Sequence, residues 1–192
     1  MDFKTCRHLI ASDLRRLERH PSFLKGFKRM WSNPSFRITF WFRLGSWLKS
    51  KRNFLAKIPY GIVFMIHRHN QYKTGIQIPL GTQVGEGLRF FHFSCVVINP
   101  RSVIGDNCTI FHGVTLGTSR GEGAGFPVVG NNVVLSAGAK LIGGVNVGHH
   151  VMIGANAVVV KDIPDGAVAV GVPAKVVSQE GEKHVKEYVL GV

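Results

Sequence analysis

Val128-Val129-Gly130-Asn131-Asn132-Val133-Val134-Leu135-Ser136-Ala137-Gly138-Ala139-Lys140-Leu141-Ile142 is the stretch that decides the fold. Val129, Leu135 and Leu141 stand six residues apart, and the series continues through Val147, Ile153 and Val159. The residue after each is Gly130, Ser136, Ile142, Gly148, Gly154 or Val160, often small, and the fifth place holds Val133, Ala139, Val145, Val151 and Ala157. A six-residue period matches neither an α-helix nor a simple alternating strand. It fits a short strand, a tight corner and another short strand. The aliphatic residue points inward, and glycine or asparagine turns the corner, where positive φ is common. Three hexads close one triangular coil, and coils stack at the strand spacing of about 4.8 Å.

The period also runs backwards. From Leu116 it passes through Ile110, Ile104 and Ile98, slips by two residues, and resumes at Phe90, Val84 and Ile78. The two runs flank an irregular loop over residues 117–128. A β-sandwich would instead place turns every 8–12 residues or so. The chain is therefore read as mainly β. A parallel β-helix spans residues 76–177, an α-helical region precedes it over 1–75, and a tail follows over 178–192.

The two larger regions differ in composition. Residues 1–75 hold 16 Lys and Arg against three Asp and Glu, with 13 of the 19 aromatic residues, whereas residues 76–192 hold eight of each charge. The whole excess of +13 thus lies in the first region. Ser12 or Asp13 is expected to cap a first helix that ends near Pro21. Phe36, Phe40, Leu44, Trp47 and Leu48 share one helical face, with Arg37 and Arg43 at its flanks. The apolar run over 58–66 is too short to cross a bilayer, which needs about 20 residues. Two readings of the region stay open: a helical cap packed on the solenoid, and a face for an anionic membrane surface beside Trp31, Trp41 and Trp47. No nucleic-acid motif accompanies the charge, so no nucleic-acid partner is expected. Cys6, Cys95 and Cys108 form no close pair and read as reduced, buried thiols. With no secretion-type apolar stretch at the start, the expected placement is cytoplasmic, peripheral on the inner membrane face in the membrane reading. No metal triad, phosphate-binding loop or dinucleotide fingerprint is present, so no metal is expected.

Val84-Gly85-Glu86-Gly87-Leu88, Ile104-Gly105-Asp106-Asn107-Cys108, Gly113-Val114-Thr115-Leu116-Gly117 and the ending Gly171-Val172-Pro173-Ala174-Lys175 make the repeat region resemble the hexapeptide-repeat acyltransferases. The resemblance is closest to the serine acetyltransferase branch. It implies a left-handed β-helix, acetyl-CoA as co-substrate, and a homotrimer with active sites between subunits. Asp13-Leu14-Arg15-Arg16, Phe40-Trp41-Phe42-Arg43-Leu44 and Gly75-Ile76-Gln77-Ile78-Pro79 resemble a narrower group, the O-acetyltransferases of capsule and surface-polysaccharide synthesis.

Acetyl transfer to a hydroxyl needs a base, and histidine suits neutral pH. His92, in the slipped coil, matches the family's catalytic histidine. His112 is third in its hexad, as His92 is in its own, and is expected to stack one coil away, holding the acceptor or tuning His92. Gln77 stands where the serine enzymes carry an orienting aspartate. An amide can accept the imidazole N–H but cannot stabilise imidazolium with a charge. Gly117, Thr118, Ala137 and Ala155 match the small positions along which acetyl-CoA lies, with Lys175 placed to meet its phosphates. Phe91 and Gly125-Phe126-Pro127 replace the polar groups with which serine enzymes hold their amino acid. Phe90, Phe91, Phe93 and Phe126 suit a sugar face instead. The expected activity is acetyl-CoA-dependent O-acetylation of a saccharide hydroxyl or lipid-linked glycan, with an amino-sugar nitrogen left open. Serine O-acetylation for cysteine synthesis is the alternative. An inactive β-helix scaffold, favoured by Gln77, is the rival of another class.

Overall fold

The computed structural model describes residues 1–51, 53–121 and 124–189. Four helices come first: α1 (Phe3–Arg15), α2 (Phe23–Ser32), α3 (Pro34–Lys49) and α4 (Lys57–Thr74), with a short 3-10 turn at Phe54–Ala56 before α4. Each of the first three opens on a side-chain cap that satisfies a free backbone N–H. Asp2 accepts from Thr5, Ser22 from Lys25 and Asn33 from Phe36, with Pro34 at the first turn of α3. The cap expected at Ser12 or Asp13 is therefore displaced: both residues lie inside α1 and are buried. Gly75 ends α4 in the left-handed conformation, φ 66°, and a Cβ there would stand 2.9 Å from the Cys95 nitrogen.

From Ile76 the chain winds through three parallel sheets in turn. The first holds β1 (Ile76–Gln77), β4 (Val96–Ile98), β7 (Thr115–Gly117), β10 (Lys140–Ile142) and β13 (Val158–Val159). The second holds β2 (Gln83–Val84), β5 (Val103–Ile104), β8 (Val128–Val129) and β11 (Asn146–Val147). The third holds β3 (Arg89–Phe91), β6 (Thr109–Phe111), β9 (Val134–Leu135), β12 (Met152–Ile153) and β14 (Val168–Val170), and is finished by the antiparallel β15 (Lys175–Ser178). This is the parallel β-solenoid that the six-residue period implies. Its inward positions from Ile98 to Val159 are at most 3 % exposed. Each such side chain contributes about 1.5–3 kcal/mol by leaving water.

The registers explain the irregularities. Val97 pairs with Thr115 and Leu141 with Val159, one regular coil apart. Phe90 pairs with Ile110, two residues longer, which is the slip. Ile104 pairs with Val129, seven residues longer, which is the loop. Small residues after the inward position answer a close approach between coils. A Cβ on Gly130 would lie 2.7 Å from the Gly148 oxygen and 2.8 Å from its carbonyl carbon.

Both ends of the stack are covered. Ile38 and Phe42 of α3 enter the same core as Ile76 and Ile78 at the first coil. At the last coil, β15 folds back and α5 (Gly181–Val189) follows, with the Gly181 N–H bonded to the Gly166 oxygen and Val185 buried. The junction with the helices contains a buried ion pair. Arg43 donates from Nε to Asp13 at 2.9 Å and also donates to the carbonyls of Val84 and Gly85. Arg43 is thus in the core, not on a helix flank as its charge suggests, because its partner lies thirty residues earlier in the chain. Cys6 and Cys108 are buried, but Cys95 is exposed, contrary to the expectation for it. Among the described residues, no helix is long and apolar enough to cross a membrane.

Candidate active site

The chain turns from the third sheet into the first at a corner that repeats in every coil. Successive corners are tied by backbone bonds: Gly113 N–H to the Ser94 oxygen, Gly138 N–H to the His112 oxygen, and Asn156 N–H to the Ala137 oxygen. Ser94, His112, Ala137 and Ala155 therefore form one column along a solenoid edge. His92 precedes this column in the coil with two extra residues. The insertion forces a bulge, in which His92, Ser94 and Cys95 have φ of 55°, 136° and 52°. Such values are uncommon away from glycine and cluster at functional sites. His92 is exposed at the start of this bulge.

His92 and His112 are both exposed, and their ring centroids are 6.2 Å apart at 69°. The expected neighbourhood on adjacent coils is therefore found. The His92 ring stands edge-on to Phe91 at 4.9 Å, and Phe91 packs on Phe111 at 4.9 Å and on Tyr188 of α5 at 6.2 Å. The Arg89 guanidinium covers Phe91 at 4.7 Å. Gln77 lies on β1, exposed and paired with Val97, and has no hydrogen bond to His92 among the described residues. The orienting contact expected of Gln77 is thus not made within this chain.

The small residues divide into two groups. Ala137 and Ala155 share the His112 edge, and Gly171–Pro173 continue it into β15, where Lys175 is exposed. Gly117 and Thr118 stand at the other end of β7, where the chain leaves the first sheet. The loop carrying Gly125 and Phe126 leaves from that same end, and Arg101 places its guanidinium 5.2 Å from the Phe126 ring centroid. His92 and Phe126 therefore occupy two different corners of one chain.

Three other histidines have structural partners. His149 Nδ1 accepts from the Asn131 N–H, His8 bonds Glu86 at 2.5 Å, and buried His67 bonds the Ile78 oxygen at 2.8 Å. Burial pushes the Cys108 thiol up to about 12, which removes it as a nucleophile. No group of three metal-ligating side chains occurs among the described residues.

No protein-family model matches the chain. Individual relatives do. The serine acetyltransferase of Synechococcus elongatus is 35% identical over 181 residues, which is 93% of this chain and 70% of that protein. The chain belongs to the serine acetyltransferase family. The serine acetyltransferase of Helicobacter pylori is 48% identical over 111 residues, 57% of this chain and 65% of that protein. Solved serine acetyltransferases share the fold. The soybean enzyme complexed with serine superposes with a TM-score of 0.75 at 28% identity, covering 91% of this chain and 70% of that one. A serine acetyltransferase in complex with CoA gives 0.70 at 27%, covering 91% and 71%.

Membership of the serine acetyltransferase family overturns two expectations. The capsule-type resemblance of residues 1–75 has no support, because serine acetyltransferases match across 93% of the chain. The saccharide acceptor falls with it. The aromatic platform invoked for a sugar is also absent as a unit. Phe90 points into the core at 2 % exposure, Phe91 is packed between neighbours, Phe93 is exposed, and Phe126 lies under Arg101 at another corner. The inactive-scaffold reading loses its ground too, since 93% of the chain aligns with a member of an enzyme family.

Proposed function

We propose that this chain is a serine O-acetyltransferase that uses acetyl-CoA. The observation that carries the reading is the solenoid edge itself, with exposed His92 and His112 adjoining a column of small residues, in a chain of this family. In the reaction, His92 accepts the proton of the serine hydroxyl as its oxygen attacks the thioester carbonyl. Backbone N–H groups near Gly117 stabilise the oxyanion. The thioester C–S bond breaks, and His92 returns the proton to the CoA sulfur. Acetyl-CoA lies along the edge of Ala137 and Ala155, where small side chains admit the pantetheine arm, and Lys175 meets its phosphates.

The two separated corners support a homotrimer. Side-by-side packing sets the Gly117–Phe126 corner of one chain against the His92 edge of the next. It supplies what neither corner has alone. In that arrangement Arg101, whose guanidinium lies 5.2 Å from the Phe126 ring centroid, brings a cation to the serine carboxylate. The solenoid of residues 76–177 is the catalytic domain in this reading, and residues 1–75 are an accessory helical domain.

CoA-thiol release with serine and acetyl-CoA tests the activity, and light scattering tests the assembly. Turnover at millimolar serine by a particle of three chains is expected. Release with a sugar acceptor and none with serine would overturn the proposal, as would full activity in a monomer.

A further inference from the structure

Helix α2 has no buried residue, although it is strongly amphipathic. Its polar side carries Lys25, Lys28 and Arg29, and its apolar side is turned to solvent: Phe23 is 88 %, Leu24 78 %, Phe27 55 % and Trp31 71 % exposed. The apolar positions fall within one third of the helical circumference at 100° per residue, with Lys28 at the flank and Lys25 and Arg29 opposite, both paired with Glu18. Gly26 marks the flank on which the helix rests, with a Cβ there 3.3 Å from Leu14 of α1. On this flank the apolar side continues into an open groove of about 450 Å³ between α1, α2 and α3, lined by Ile10, Leu14, Phe23, Phe27 and Phe40, with Arg7 among its residues. Large exposed apolar patches of this kind mark interaction sites.

We propose that α2 and the adjoining groove are a docking surface for an anionic lipid bilayer. Charge selects this occupant over a second copy of the chain. The region that presents the patch carries a net +13, so two such faces repel each other, whereas an anionic leaflet attracts them. Among the described residues neither Lys28 nor Arg7 has an ion pair, so both are available to headgroups. The composition of the helix also fits, since Trp and Phe settle at the boundary between headgroups and acyl chains while Lys and Arg stay at the headgroups. No step of the acetyl transfer uses these residues.

The test is co-sedimentation of the full chain with vesicles of phosphatidylcholine alone and of phosphatidylcholine with about one third phosphatidylglycerol. Each basic residue near an anionic leaflet is worth roughly fivefold in binding, so several together give at least a tenfold preference for the anionic vesicles. High salt removes most of that preference, because the Debye length falls to about 3 Å at 1 M. A variant with Phe23→Ser, Leu24→Ser, Phe27→Ser and Trp31→Ser changes only exposed side chains. It should keep its melting temperature and its rate with serine while losing binding at least tenfold. Equal binding by parent and variant overturns the proposal, as does no preference for anionic vesicles. Self-association of the parent that the variant abolishes, without vesicle binding, assigns the face to a second copy instead.

Discussion

Replacing Asp13 by asparagine removes the charge on which the junction between helices and solenoid is built. The side chains of Asp13 and Arg43 are 1 % and 3 % exposed. Asp13 accepts from Arg43 Nε at 2.9 Å, from Arg43 Nη2 at 3.1 Å and from the Leu88 N–H at 2.8 Å. The last bond reaches the residue just before β3, the strand that leads into the His92 bulge. Asparagine keeps the shape and one acceptor oxygen, so some of these bonds survive. The guanidinium is nevertheless left buried without a counter-charge. Removing one partner of a buried pair costs about 3–5 kcal/mol, and the retained oxygen places Asp13→Asn at the lower end, about 3 kcal/mol. For a chain of this length each kcal/mol moves the melting temperature by about 2–4 °C, so a fall of about 6–12 °C is expected. The pair Asp13→Leu with Arg43→Met strands no charge, but it leaves the Leu88 N–H and the Val84 and Gly85 carbonyls without these partners, at about 1–3 kcal/mol each. The double variant should therefore be no more stable than Asp13→Asn, while losing less than the sum of its two single variants. Urea unfolding of the parent, the single variants and the double variant measures the coupling. An Asp13→Asn protein within 1 kcal/mol of the parent, on the order of an exposed pair, would refute this account of the junction.

Three further outcomes are expected. His92→Asn should lower turnover with serine by about 10²–10⁴-fold without lowering the melting temperature, because asparagine tolerates the positive φ that His92 adopts; steady-state thiol release and thermal unfolding check both halves. Gly130→Ala should cost about 1–3 kcal/mol, since its Cβ meets backbone of the next coil that cannot move independently; a urea midpoint equal to the parent's would contradict the coil spacing. Burial holds the His67 imidazole below its usual 6.5, against a smaller opposing effect of its bond to Ile78. The unfolded chain therefore takes up a proton first, so the stability from neutral His67 is complete above about pH 6.5 and is lost as the pH falls below it. Urea midpoints at pH 7.5 and 5.5 should show this fall in the parent and a smaller one in His67→Gln.

The solenoid was legible because each hexad repeats one physical requirement, an aliphatic residue facing an axis shared by all coils. Val129, Leu135 and Leu141 needed no long-range information to be placed. The slip before Ile98 was legible as a count, but not as the bulge with three positive φ values that begins at His92. The pairing of Arg43 with Asp13 was hidden because charge alone places arginine at the surface, and its partner is on another helix. The outward apolar face of α2 was hidden for the converse reason, since periodicity identifies an apolar stripe without saying what it faces. At the site, His92 was singled out by the family resemblance, and coil arithmetic placed His112 beside it. The acceptor was misread from Phe90, Phe91, Phe93 and Phe126 as a group, since only Phe93 is left exposed and the other rings serve the core, an aromatic cluster and a cation at a distant corner.

Sealing the stack with α3 below and β15 and α5 above has a consequence for how such a molecule changes length. An open coil would offer its unpaired strand edges to any neighbour, and stacks would grow end to end into fibres. With both ends closed, the number of rungs becomes an internal variable. One regular coil duplicated between β10 and β13 would lengthen the edge beside Ala137 and Ala155 by about 4.8 Å and leave the His92 bulge and both seals as they are. The body behaves as a ruler between two end-stops, so the span along which an elongated donor can lie is set by counting coils, independently of the chemistry at its first rungs.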